Sequence, residues 1–423
     1  MLNILINAYA CSPSWGSEPG MAWNWVINLA RHCNLFVITE GEWRAEIEEA
    51  VAKLPQRDHL HFHFNPVSEK VRRMCWNQGD WRFYWHYRKW QRRTLRIAEQ
   101  ICSEQRIDVI HQLNMIGFRE PGYLWKLPDI PFIWGPIGGM DLLPVAFLQG
   151  VGWKITLINR LKNMINAWQM HQQPRVLKAI ERSDWLVAAT KGSYDILHGY
   201  YHKNNVSLIN ETGCYEKLQP ECKQGKKETL DLLWVGKFDF RKRLDLAIQS
   251  IAAMRDNERV RLHVVGEDRE SIVAPFKRLA EREGIADKVV WHGKVPHEEI
   301  NELMLKADLF FFTSIMDATS TVIVEALQNG LPIVCFDTCG FGPLVDGTIG
   351  AKVPVTTPEA GVKAFAEILT DINAHRERLA VWSRNCAARA AELSWEKKAE
   401  RMAGIYERVV RTHGEQGSDA PVR

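Results

Sequence analysis

The chain has 423 residues, of which 46% are hydrophobic and 25% are charged, with a formal net charge of +3. These values exclude a disordered, fibrous or disulfide-scaffold protein and a chain that is basic overall, as many nucleic-acid-binding proteins are. The length allows two sizeable domains. Nine cysteines without a Cys-x-x-Cys pair predict reduced thiols in a cytoplasmic compartment. Tryptophan is unusually frequent, with 17 residues.

Short β-rich runs alternate with longer helical patterns along the whole chain, which predicts an α/β protein with parallel sheets. The first half has predicted strands at 2–8, 35–39, 60–64, 108–113, 131–134 and 185–189. The second half starts a new series at 230–236, 261–265, 289–292, 309–313, 332–336 and 350–353. The pattern therefore predicts two doubly wound, Rossmann-like domains that face a central cleft.

The predicted domain borders follow from the segments without strands. The first domain covers 1–213 and contains a basic, aromatic insert. A polar, lysine-rich linker occupies 214–229, and the second domain covers 230–394. A helix at 395–411 is expected to cross back to the first domain, before a flexible tail at 412–423.

The most informative segment joins a buried strand to a helix that begins near Ser320. A helix N-terminus at the carboxyl end of a strand offers backbone N–H groups and a positive dipole end, which favour an anion. Asp317 precedes this helix, and Glu325 lies eight residues further on. The alternative is that Asp317 only assists the helix cap and Glu325 is a solvated surface residue.

Two lysines follow the first strand of the same predicted sheet. Lys237 directly follows Gly236 and Lys242 lies further along the same loop, so both are expected at the edge where the helix begins. Two cations there can neutralise a diphosphate leaving group. The alternative is a solvated basic turn, since Lys242 lies between two arginines.

Together these motifs resemble the retaining glycosyltransferases of family four, which have the GT-B fold. The Gly236-Lys237…Lys242 stretch is similar to that family's Gly-Arg…Glu-Lys-Gly loop, and Asp317…Glu325 occupies its Glu-x7-Glu motif. Two further turns, which end at Gly266 and Val295, match the family's next strand end and its Gly-x-Val turn.

The resemblance implies that the first domain binds the acceptor and the second binds the nucleotide-sugar. It also implies a role for each of these positions. Asp317 is expected to bond donor-sugar hydroxyls and Glu325 the ribose hydroxyls, with Lys237, Lys242 and Asp317 as the catalytic residues. The other expected donor-binding positions are Gly16, Ser17, Gly236, Gly266, Val295, Ala318, Thr319, Ser320 and Thr321. The donor is expected to be a UDP- or GDP-sugar, with no cofactor and no metal.

This chain departs from the family's motif in two places. Its first acid is Asp317 instead of Glu, and Thr319-Ser320 replaces the usual Phe-Gly. These differences leave the identity of the donor sugar open.

The first half matches the family in outline only. The loop after its first strand contains Gly16, Ser17 and Glu18, which are expected to approach the donor phosphate and the acceptor. The alternative is an ordinary strand-to-helix turn.

Two further loops are expected to line the acceptor cleft. His111-Gln-Leu-Asn114 ends the fourth strand, where the family often has His-x-His, so Asn114 is a candidate substitute for the second histidine. Gly138 and Gly139 end the next strand in a flexible loop that suits close approach.

A basic and aromatic segment suggests contact with an anionic membrane. The stripe consists of Trp85, Lys89, Arg92, Arg93 and Arg96, whose cations share one helix face. Basic residues beside interfacial aromatic residues suit a helix that lies on an anionic bilayer. The alternative is that the aromatic residues are core and the basic ones solvated, and a nucleic-acid partner is disfavoured.

The resemblance thus implies a retaining glycosyltransferase that moves a sugar from a nucleotide diphosphate-sugar to a glycan acceptor. The acceptor is expected to be lipid-linked, in bacterial cell-surface or extracellular polysaccharide synthesis. The predicted location is the cytoplasmic face of the cell membrane, as a peripheral protein. The alternatives are a GT-B nucleotide-sugar epimerase and a non-catalytic GT-B-like partner subunit.

Overall fold

The chain forms two compact units in a computed structural model, which describes residues 1–77, 80–149, 151–215, 228–267 and 269–418. The first unit contains Met1–Met140, Ile165–Glu211 and the C-terminal helix from Trp395. The second contains Asp141–Met164 and Thr212–Ser394. The C-terminal helix therefore belongs with the first unit, as predicted.

The described residues form thirteen strands, numbered in chain order. They are β1 Asn3–Ala8, β2 Asn34–Thr39, β3 Leu60–Phe64, β4 Val109–Asn114, β5 Phe132–Ile137, β6 Trp185–Ala188, β7 Val206–Leu208, β8 Leu230–Val235, β9 Val260–Val265, β10 Val289–Gly293, β11 Leu309–Phe312, β12 Ile333–Phe336 and β13 Gly350–Val353.

The same residues form fourteen α-helices. They are α1 Ser17–Leu29, α2 Arg44–Ala52, α3 Glu69–Trp76, α4 Arg82–Glu104, α5 Trp153–Gln172, α6 Pro174–Arg182, α7 Lys191–Asp195, α8 Leu244–Ala252, α9 Glu270–Arg282, α10 His297–Lys306, α11 Thr321–Gln328, α12 Pro358–Ala374, α13 Glu377–Glu392 and α14 Trp395–Ser418.

Each unit is built on one parallel sheet. The strand order is β3-β2-β1-β4-β5-β6-β7 in the first unit and β10-β9-β8-β11-β12-β13 in the second. All neighbouring strands run parallel. This confirms the predicted α/β class with two Rossmann-like domains. The strand order reverses beside β1 and beside β8, and ligands of such sheets bind outside the carboxyl ends of strands at this point.

Side chains that alternate along the strands fill the two faces of each sheet. In β1, Ile4 and Ile6 pack in the cluster that contains Trp25 of α1, whereas Leu5 packs on the other face with Trp90 of α4. All five residues are fully buried. Strands buried on both faces read as nearly continuous apolar runs, which is why the sequence pattern locates them well.

The borders of several predicted segments need correction. Residues 141–164 were expected in the first domain, but they lie in the second unit because Leu143, Phe147 and Leu148 pack in its core. Strand β7 was not predicted, and α14 continues to Ser418 instead of ending at 411. Of the predicted linker and tail, residues 216–227 and 419–423 lie outside the described residues.

Candidate functional site

Lys242 and Asp317 meet at the carboxyl edge of the second sheet. The Lys242 ammonium pairs with Oδ2 of Asp317, and it also lies 4.9 Å from the centre of the Phe312 ring. The two side chains are only 12% and 25% exposed. Gly236 lies beside them, since a Cβ there would be 3.6 Å from Cγ of Lys242 and 3.2 Å from the Trp234 ring. The structure thus brings together three of the residues predicted from the sequence.

The loop that carries Lys242 is fastened to the end of β11 by main-chain contacts. The Thr313 hydroxyl lies within donating distance of the carbonyl groups of Lys242, at 3.0 Å, and Arg243, at 2.9 Å. It also accepts a hydrogen bond from Nε1 of Trp234 at 3.1 Å. The sequence analysis missed Thr313, although its position at the end of a strand of the same sheet was a usable signal.

The loop after β12 holds the segment that follows Asp317. The backbone N–H of Asp317 donates to Sγ of Cys339 at 3.1 Å, and the N–H of Gly340 donates to the carbonyl of Ala318 at 3.1 Å. A Cβ at Gly340 would lie 2.5 Å from Oγ1 of Thr319, which is buried. The close packing therefore requires glycine at 340, a residue that the sequence analysis did not single out.

Ser320 is the N-cap residue of α11, and its backbone conformation is unfavourable. Its φ of 68° and ψ of 115° lie where side chains with a Cβ are disfavoured. Glycine tolerates such angles, and this is the position where the family's motif has Gly. The following residue, Thr321, is exposed and begins α11, so the first amides of the helix lie at the edge that carries Asp317.

Glu325 lies on α11 and has a partner that the sequence did not reveal. Its Oε1 is 3.1 Å from Nε2 of His297, the first residue of α10, and the Glu325 side chain is 20% exposed. Nδ1 of the same imidazole is 3.3 Å from the side-chain nitrogen of Asn301. No family motif in the sequence marks His297, so only the packing of α10 beside α11 identifies it.

The remaining predicted donor residues of the second unit lie at the ends of neighbouring strands. Gly266 has a φ of 139°, and a Cβ there would lie 2.0 Å from the carbonyl oxygen of Gly236. The close backbone contact between the ends of these two neighbouring strands therefore requires glycine at 266. Val295 packs partly buried against the core. The Lys237 side chain is exposed, and within the described part of the chain it forms no ion pair.

Glu18 connects two loops at the carboxyl edge of the first sheet. Its Oε1 accepts a hydrogen bond from the backbone N–H of Ile116 at 2.8 Å, and burial raises the pKa of this carboxyl group. Helix α1 begins at Ser17, which has a φ of 55°, after Gly16 as its N-cap. Glu18 thus lies in the first turn of this helix, and Gly16 and Ser17 are exposed.

His111 does not line a cleft, which corrects the expectation from the sequence. It is fully buried, with Nε2 at 2.7 Å from the Gly135 carbonyl and Nδ1 at 2.7 Å from the Tyr406 hydroxyl. Because the carbonyl can only accept, Nε2 donates and Nδ1 accepts from tyrosine. Burial lowers the pKa of His111 to about 4. Both nitrogens are therefore used to join β4 to α14.

Asn114 is also buried, so it does not present a side chain to an acceptor at the surface. Its amide nitrogen donates to the Ala10 carbonyl at 2.8 Å. Gly138 is buried as well and donates to the Ile116 carbonyl at 2.8 Å, whereas Gly139, with a φ of 78°, is exposed. Of these three predicted acceptor residues, Gly139 is the accessible one.

The predicted membrane stripe is exposed on α4. Trp85 is 55% exposed, and the Lys89 ammonium lies 3.5 Å from the centre of its ring. Lys89, Arg92, Arg93 and Arg96 line one side of a surface groove of about 460 Å³. In the part of the chain that the structure describes, none of the four cations has a carboxylate partner. None of the described helices is long and apolar enough to cross a membrane.

Residues 219–385 match the family model described as "Glycosyl transferases group 1". The matched segment lies within the second unit. Because this segment contains Lys242, Asp317, Ser320 and Glu325, the site described above lies inside it.

Individual proteins are similar to this chain as well. The chain is 34% identical to the lipopolysaccharide glucosyltransferase WaaG of Escherichia coli over 135 residues, which are 31% of this chain and 35% of WaaG. It is 26% identical to the lipopolysaccharide core biosynthesis mannosyltransferase LpsB of Rhizobium meliloti over 316 residues, 71% of this chain and 86% of LpsB. Several other curated relatives are matched over less than half of their length.

A solved structure shares the fold of the whole chain. Anabaena Alr3699/HepE, crystallised in complex with UDP, superposes with a TM-score of 0.60 and 14% identity, covering 96% of this chain and 100% of that one. At this identity the likeness concerns the fold alone.

Proposed function

We propose that the protein is a retaining glycosyltransferase that moves a sugar from a nucleotide diphosphate-sugar to a glycan acceptor. We further propose that the acceptor is lipid-linked and serves the synthesis of bacterial cell-surface polysaccharide. The observation that carries the proposal is the Lys242–Asp317 pair beside the start of α11, inside the group 1 segment. UDP in the HepE complex and the lipopolysaccharide roles of WaaG and LpsB support the donor and acceptor classes.

The chemistry follows from the charges at this edge. The Lys242 ammonium and the N-terminal amides of α11 supply positive charge where the diphosphate leaves, so they stabilise the charge that develops on the leaving oxygen. The Asp317 carboxylate accepts hydrogen bonds from hydroxyl groups of the donor sugar. Glu325 accepts from the ribose hydroxyls when His297 releases it. An acceptor hydroxyl oxygen attacks the anomeric carbon on the face that the diphosphate leaves, and its proton passes to the leaving phosphate oxygen. The new bond therefore has the configuration of the broken one, and these groups require no metal.

A transfer assay tests this proposal. The protein is incubated with UDP-glucose, UDP-galactose, UDP-N-acetylglucosamine or GDP-mannose and a lipid-linked glycan fraction from bacterial membranes. We expect release of nucleoside diphosphate that depends on the acceptor, and full activity in EDTA. NMR of the product should show that the transferred sugar has the same anomeric configuration as in the donor. Turnover of the donor sugar without acceptor would indicate the epimerase instead, and no turnover of any donor would indicate the non-catalytic partner subunit.

We also propose that the stripe on α4 places the protein on an anionic membrane at the cytoplasmic face. Among the described residues these cations have no carboxylate partner, and Trp85 is exposed. Both observations support the proposal, because each basic residue near such a surface contributes about 1 kcal/mol. Changing Lys89, Arg92 and Arg93 to Ala should therefore weaken binding to phosphatidylglycerol vesicles by on the order of 100-fold in flotation assays. Binding unchanged by this triple variant would refute the proposal. A matched control changes three exposed cations of the second unit, Arg261, Arg278 and Lys363.

A further inference from the structure

Three tryptophans form a cluster at the surface of the first unit. The ring centres of Trp15 and Trp76 are 5.2 Å apart, those of Trp43 and Trp76 are 5.6 Å apart, and those of Trp15 and Trp43 are 6.0 Å apart. Trp43 is buried, but Trp15 and Trp76 are 53% and 42% exposed. Two large indole rings are thus held against each other, and each remains about half exposed to solvent.

The cluster lies at the carboxyl edge of the sheet. Trp15 is in the loop that follows β1 and leads into α1, and Trp43 follows β2, the neighbour of β1. Trp76 is the last residue of α3. The strand order reverses beside β1, so this is the edge where doubly wound sheets bind their ligands.

A partly buried ion pair fixes Trp76 in its place. The guanidinium of Arg72, one turn before Trp76 on α3, contacts both carboxylate oxygens of Glu40 at 2.9–3.0 Å. Glu40 is buried at the end of β2 and also accepts from the N–H of Val67 at 2.8 Å. The position of Trp76 is therefore set by the sheet and not by the exposed part of α3.

A carboxylate borders the exposed rings. Nε1 of Trp76 donates to Glu42, with both carboxylate oxygens at 3.2 Å. Glu42 is exposed, and among the described residues it has no cationic partner within ion-pair distance. The surface therefore combines apolar ring faces with a hydrogen-bond acceptor that carries negative charge.

We propose that Trp15, Trp76 and Glu42 form a subsite for a pyranose ring of the acceptor glycan. The C–H groups on the face of a pyranose pack on indole rings, while its hydroxyl groups at the rim donate to a carboxylate. Aromatic side chains combined with a few placed polar groups are common in sites for small ligands. The negative charge of Glu42 disfavours an anionic lipid surface as the occupant. That the bound glycan is the acceptor rests on the proposed function.

A binding experiment on the full chain tests the subsite without any need for catalysis. Maltotetraose, cellotetraose and mannotetraose are titrated in turn, with saturation-transfer NMR and tryptophan fluorescence as readouts. At least one tetrasaccharide should bind saturably, and Trp15→Ala and Trp76→Ala should each weaken it about tenfold, as expected for a central aromatic contact. Trp15→Phe should retain most of the binding.

The matched control is Trp168→Ala, because Trp168 is 59% exposed and lies on α5, away from the cluster in sequence. The proposal is overturned if none of the three tetrasaccharides binds, or if Trp168→Ala weakens binding as much as Trp15→Ala does. It is also overturned if Trp15→Ala leaves glycan binding intact but reduces flotation with phosphatidylglycerol vesicles.

The subsite and the proposed function can fail separately. Tetrasaccharide binding that depends on Trp15 and Trp76, together with no sugar transfer, would keep the subsite and contradict the transferase. Sugar transfer with an acceptor KM unchanged in Trp15→Ala and Trp76→Ala would keep the transferase and contradict the subsite.

Discussion

Replacing Lys242 with methionine removes the cation of the candidate site while it keeps a side chain of similar length. The Lys242 side chain is 12% exposed, so water screens its charge only in part. Two unit charges 4 Å apart interact by about 4 kcal/mol at an effective dielectric constant of 20. Since removal of one group that stabilises a developing negative charge costs roughly 10²–10³ in kcat, we expect a loss of that size from Lys242→Met. The fold should persist, because Thr313 fastens the loop through main-chain carbonyl groups.

The assay is acceptor-dependent release of nucleoside diphosphate, measured for kcat and KM separately. Lys288→Met is the matched control, since the Lys288 side chain is 13% exposed and precedes β10 at the amino end of the same sheet. Lys242→Arg should keep much of the activity because it retains the charge. If Lys242→Met and Lys288→Met lower kcat equally, or if neither does, the assignment of Lys242 is refuted.

Three further predictions concern single side chains. Ser320→Gly should raise the unfolding free energy by about 1 kcal/mol, because relief of a strained backbone outweighs the entropic cost of glycine, and a thermal melt that moves downward would contradict this. His297→Ala should lower the KM for the donor roughly threefold with kcat unchanged, because it removes a competing hydrogen bond from Glu325, and an increase in KM would show that His297 helps to bind the donor. Burial lowers the pKa of His111 in the folded chain, so the neutral imidazole contributes its full stabilisation of the fold above the pKa that it has in the unfolded chain. This contribution is lost as the pH falls from about 6.5 toward 4. The pH dependence of urea unfolding should therefore be flatter in His111→Gln by up to about 3 kcal/mol over this range, and identical slopes would argue against the lowered pKa.

The strands were predictable because parallel strands covered on both faces must be apolar along their length. β11, with the sequence Leu-Phe-Phe-Phe, is fully buried and illustrates this. β7 escaped prediction because it has only three residues. The position of Phe147 in the second unit could not be predicted from local patterns. Phe147 packs against Phe336, which lies 189 residues further along the chain.

The candidate site was predictable to the extent that it depends on strand ends. Lys242 and Asp317 follow β8 and β11, which are neighbours in the sheet, so a parallel topology alone brings them to one edge. His111 also occupies a strand, but its role depends on the Tyr406 hydroxyl of α14, which no local pattern reveals. The same holds for His297, because its contact with Glu325 joins two helices that no motif connects.

The central claim is that the second unit binds a nucleoside diphosphate through Lys242, α11 and Glu325. Thermal unfolding of the full chain with UDP or GDP tests it most directly. One of the two nucleotides, at 100 times its dissociation constant, should stabilise the protein by about 2.7 kcal/mol, and the double variant Lys242→Met, Glu325→Gln should lose most of this stabilisation. Absence of stabilisation by both nucleotides, or equal stabilisation of the double variant, would contradict the account.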